Sequence, residues 1–132
     1  MSRASFQGAL AEVFALLASD ANGTPEAPLV TAGVAKVYDA EPGAAGWVKP
    51  CSVTVAPSGI TPTDWTVEVR VYVDDQYAAR AQDLLVDATV AVDALLKTGE
   101  AFGPSQWDMG WQPPLECWLA RCTLQVGRED GF

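Results

Sequence analysis

A chain of 132 residues, 49% hydrophobic and 19% charged, is long enough to bury a core and too apolar to stay disordered. Its net charge of −9, with eight scattered basic residues, speaks against a protein that grips nucleic-acid phosphates. Histidine is absent, which removes the commonest general base and the commonest metal ligand together.

The chain opens with a helical pattern over residues 4–19. Phe6, Leu10, Val13, Phe14 and Leu17 form one apolar stripe, with Gln7 and Glu12 away from it. Its longest apolar run, 13–18, is too short to cross a bilayer. Arg3 is the only early base, so the start does not read as a signal peptide, and a soluble intracellular product is expected. Asn22-Gly23 ends the helix, and Pro25 and Pro28 bound a short loop. Residues 29–38 read as a strand carried by Val30, Val34 and Val37, with a bulge at Gly33. An exposed connection, 39–46, leads to Trp47.

Residues 49–56 read as a second strand, in which Cys51, Val53 and Val55 alternate with Ser52 and Thr54. Pro57-Ser58-Gly59 reads as a turn. Trp65, Val67, Val69, Val71 and Val73 then alternate strictly with polar or amphipathic residues, which predicts a half-buried strand. Asp74 or Asp75 can cap the helix that follows, where Ala81, Leu84, Leu85, Ala88, Val92, Leu95 and Leu96 form the apolar stripe and Gly99 the stop. That stripe matches the strand's apolar face, and the pair is the expected core. On this reading Val69→Asp unfolds the domain, whereas Glu68→Gln on the opposite face costs under about 1 kcal/mol.

Residues 99–114 read as a loop, with room for one short strand near 106–111, and residues 115–126 as the closing strand. The tail beyond is polar. The order α-β-β-β-α-(β)-β predicts one α+β domain over residues 1–132, a mainly antiparallel sheet packed by two helices.

No catalytic constellation emerges. Asp74 and Asp75 are explained by capping, and Asp83 and Asp87 by a helix's outer face. Cys117 and Cys122 lack metal-site spacing, and on one strand they point to opposite faces roughly 17 Å apart. They cannot bridge, so three reduced thiols and no metal or cofactor are expected. No phosphate loop, dinucleotide fingerprint or nucleophile elbow is present. The tryptophans are distinctive. Trp65 and Trp118 fall in strand patterns, while Trp47, Trp107 and Trp111 fall in or beside Gly- and Pro-rich segments. Two readings of those three stay open: rings that cap the core, or a protein–protein contact surface.

The order of elements, with Val-Ala-Lys-Val-Tyr-Asp (34–39), Lys-Pro-Cys-Ser-Val-Thr-Val (49–55), Asp-Trp-Thr-Val-Glu-Val-Arg-Val-Tyr-Val (64–73) and Val-Asp-Ala-Leu-Leu (92–96), resembles the small tail-terminator and head–tail joining proteins of long-tailed bacteriophages. The resemblance spans nearly the whole chain and lies in element order, length and acidic composition. It implies a non-enzymatic virion protein made in the host bacterial cytoplasm. Such a subunit closes into a ring, usually six-fold, that caps the tail tube. Its partners would be further copies of itself, the major tail tube protein and a neck protein, with DNA passing through the lumen. An acidic lumen would avoid trapping that DNA. The alternatives are a head-completion connector on the portal side and, further off, a cellular ligand-binding domain.

Overall fold

The computed structural model describes residues 6–38, 51–61, 64–74, 78–99, 102–112 and 117–127. Its elements are α1 (Phe6–Ala21), α2 (Pro28–Thr31), β1 (Lys36–Tyr38), β2 (Cys51–Ile60), β3 (Asp64–Val73), α3 (Ala78–Leu96), β4 (Phe102–Gln112) and β5 (Cys117–Gly127). The strands form one sheet in the order β1-β2-β3-β5-β4. Only the β1–β2 pair is parallel, so the fold is α+β with a mainly antiparallel sheet.

The central strand is placed by its alternation. Val67, Val69, Val71 and Val73 are fully buried on one face, each level with a buried or half-buried residue of β5. Val53 and Val55 continue the same face into β2. Both long helices cover it. Ala9, Val13 and Leu17 of α1 and Ala81, Leu85, Ala88, Val92 and Leu96 of α3 join one core. Phe6 closes the end of that core, its ring 5.0 Å from that of Trp65. Fully burying a Val or Leu side chain contributes about 1.5–3 kcal/mol, which is how helices with few other constraints are held on the sheet.

Four expectations need correction. Residues 29–38 are not one strand. Pro28 supplies a fixed φ at the first position of a helical turn, and the Asp20 carboxylate accepts the Leu29 N–H at 2.7 Å. That turn closes in a Schellman arrangement, Val34 N–H to Leu29 C=O and Gly33 N–H to Val30 C=O, with Gly33 at φ +94°. Only Lys36–Tyr38 remains for strand pairing. Pro57-Ser58-Gly59 is likewise not the hairpin turn. It sits inside β2 at a register shift, and the chain reverses instead where Thr61 N–H meets the Asp64 carbonyl at 2.9 Å. Third, the 99–114 loop contains an eleven-residue strand, because β5 offers a free ladder to Trp107, Met109 and Trp111.

The fourth correction concerns the sheet's other face. Glu68 is only 18% exposed and accepts Arg70 Nε at 3.0 Å and Nη2 at 2.8 Å, with Arg121 Nε 3.5 Å away. It is the hub of a charged cluster, so its removal is expected to cost more than about 1 kcal/mol. At the far end of that face Tyr72, Cys117 and Leu119 form a second, smaller buried cluster. The expected caps include Asp75, which lies outside the described residues; Asp74 is exposed ahead of α3.

Candidate interaction surface

β4 is the outermost strand on its side of the sheet among the described residues, and it is far longer than the opposite edge, β1. An edge strand presents a row of N–H and C=O groups on which another strand can pair. Gly103 and the register shift between Phe102 and Ser105 disturb its first part; the stretch from Gln106 onward pairs regularly with β5. That regular stretch carries Asp108, whose side chain is 83% exposed, on one face, and Met109 and Trp111, each about half exposed, on the other. On α3, Val86 and Val90 are exposed one helical turn apart. By helical spacing Val86 and Val90 lie on the same side of α3 as Asp93, the residue that Trp107 of β4 bonds.

The three tryptophans singled out from the sequence have different fates. Trp107 packs against the core, half-buried, and its indole Nε1–H donates to Asp93 Oδ1 at 3.0 Å, tying β4 to α3. Asp93 also pairs with Lys97 at 2.8 Å, one turn on. Trp111 meets Trp118 edge to face, centroids 5.5 Å apart at 66°, with its outer half in solvent. Trp47 lies outside the described residues. The structure thus brings Trp107 and Trp111 together on one strand and adds Met109, Val86 and Val90, which sequence reasoning missed. The signals were present: Trp107, Met109 and Trp111 repeat with period two, and Val86 and Val90 break the polar face of α3 at helical spacing.

On the opposite face, Arg70 and Arg121 lie directly across from one another in register and Glu68 holds both. Burial opposes the Arg70 charge, but hydrogen bonds to Tyr72 and Glu68 outweigh it and hold the guanidinium pKa above its ordinary value. Arg121 also reaches Asp108, at 3.8 Å. This is a self-compensated charge cluster, suited to holding strands in register.

The cysteines are all buried, outside any disulfide. Cys122 belongs to the helix-side core and Cys117 to the cluster on the other face. Burial pushes the Cys51 thiol up to about 12, and burial followed by the Asp74 charge pushes Cys117 up to about 11. Thiols so disposed are protonated and poor nucleophiles at neutral pH. Asp83 and Asp87 are exposed on α3, and no group of three Cys, Asp or Glu side chains gathers into a metal-holding arrangement among the described residues. An open groove of about 680 Å³ lies where α1 meets the end of α3, lined by Leu16, Ser19, Asp20 and Leu95 among others. The one charged group lining it among the described residues, Asp20, is already bonded to the Leu29 amide.

The fold and surface define a two-layer α+β domain, helices on one face, with a long sheet edge beside exposed apolar side chains. No protein-family model matches the chain, and no curated protein matches it.

Proposed function

We propose that this chain is a structural assembly subunit, one of a ring that caps a bacteriophage tail tube and joins it to the head. The observation that carries an assembly role is the β4 edge. A regular strand that is outermost among the described residues, carrying Met109 and Trp111 and tied to α3 on the side where Val86 and Val90 are exposed, is a surface whose apolar groups gain by being covered. The tail-tube context comes from the sequence resemblance. In this role the subunit acts through contacts: with further copies of itself around the ring, with the tube protein below and with a neck protein above. The net charge of −9 keeps such a ring from holding the DNA that passes through it. The protein would be made in the host cytoplasm and end in the virion.

Pelleting tests the reading. Purified protein is mixed with tubes assembled from the tail-tube protein of the neighbouring reading frames, and the tubes are spun down. A terminator co-pellets in proportion to the number of tube ends, so the amount falls when the same mass of tube is made into fewer, longer tubes. Failure to pellet refutes a tube-end role, and pelleting instead with portal-bearing heads assigns the chain to the neck.

A further inference from the structure

Resting on the ring-subunit reading, we propose which surfaces join one subunit to the next: β4 of one copy pairs antiparallel with β1 of its neighbour, so that the sheet runs on from subunit to subunit. A closed ring needs two different patches per subunit that meet head-to-tail. The outermost strands at the two sides of the described sheet are such a pair. β1 runs with β2, and each later step across the sheet reverses direction, so β4 runs opposite to β1. Copies placed side by side with the same face up therefore meet as an antiparallel pair, the commoner and slightly more stable kind.

The side chains at the two edges are complementary in that arrangement. Following the register across the sheet, Tyr38 is level with Thr54, Arg70, Arg121 and finally Asp108. Val37 is level in the same way with Val53, Val71, Ala120 and Met109. A neighbour docked level thus sets its Val37 beside the half-exposed Met109 on the helix side. On the other face it sets Tyr38 beside Asp108, with Lys36 on the diagonal. Lys36 is exposed and lies over the Tyr38 ring, 5.0 Å from its centroid. A cation at one edge and an exposed carboxylate at the other, on the same face, give the contact charge complementarity. Pairing β4 with β4 about a two-fold axis near Asp108 would instead bring that carboxylate beside its own copy, with like charges across the seam. Gly110, level with Lys36, leaves room there for the lysine to reach across.

A zero-length carbodiimide cross-link tests the pairing, because it joins an ammonium to a carboxylate only when they touch. Mixed nitrogen-14 and nitrogen-15 copies, both alone and pelleted on tubes, are treated and digested for mass spectrometry. The inference expects a Lys36–Asp108 cross-link between copies of different isotope. In sedimentation, Lys36→Asp or Asp108→Lys should each weaken self-association roughly five-fold per contact, and the double exchange should restore it. Both positions are exposed, so circular dichroism should show native folds in all three. If tube-bound protein yields no mixed Lys36–Asp108 cross-link, or the charge exchanges leave association unchanged, the edge pairing is wrong while the ring reading stands. Protein that neither self-associates nor pellets with tubes loses both.

Discussion

Glu68→Gln isolates the charge cluster on the sheet's exposed face. The carboxylate sits between two guanidiniums, Arg70 at 2.8 Å and Arg121 at 3.5 Å, which are themselves opposite one another in register. Like charges directly across a strand pair destabilise it, and Glu68 is what offsets this. Replacing it by an amide removes a charge-assisted acceptor and turns an NH2 toward donors. A hydrogen bond to a charged group contributes about 1.5–3 kcal/mol, while exposed ion pairs contribute about 0–1. Arg70 is 26% and Arg121 44% exposed, so the first figure applies mainly to Arg70, and the expected loss is about 2 kcal/mol. For a domain of this size that lowers Tm by about 6–10 °C. Thermal unfolding followed by circular dichroism at low salt provides the measurement, and Arg121→Gln in the Glu68→Gln background should then cost little. A shift under about 1 °C, or full additivity of the two changes, would refute the hub assignment.

Gly33→Ala should cost about 1–2 kcal/mol, since φ +94° disfavours a side chain and its Cβ would meet Leu84 Cδ1 at 2.9 Å; a denaturant midpoint equal to wild type would exclude that conformation. Thr89 is 5% exposed and its hydroxyl has no hydrogen-bond partner among the described residues, so Thr89→Val should raise stability by about 0.5–1 kcal/mol in urea unfolding. Thiol titration should find three reactive groups per denatured, non-reduced chain and almost none in the native protein at neutral pH. Because the folded Cys51 thiol ionises near 12 against an ordinary 9.0, its contribution is fully present below pH 9 and lost as pH rises from 9 toward 12; Cys51→Ala should flatten that part of the stability profile.

What the sequence made legible was what period alone determines. The Trp65–Val73 alternation named the buried face of β3 residue by residue, and the stripe from Ala81 to Leu96 placed α3 on it. The opposed faces of Cys117 and Cys122 followed from parity. What escaped was set by partners distant in sequence. The Asp20 carboxylate that holds the Leu29 amide lies nine residues back, and without it Leu29 and Val30 read as strand by propensity. β4, with two glycines and Pro104, reads locally as a loop, and only the ladder offered by β5 makes it a strand. At the candidate surface, Trp107 looked equivalent to Trp111. The bond to Asp93, fourteen residues away, separates them, committing one ring to the domain's interior and leaving the other half exposed.

The most direct measurement of the assembly reading is tube length. Tail-tube protein is polymerised in the presence and absence of the purified chain, and tubes are measured by electron microscopy. A ring-forming terminator arrests growth, shortens the length distribution as its concentration rises, and appears as a cap on one end of each tube. Tubes that grow to the same lengths with bare ends at every concentration would contradict it.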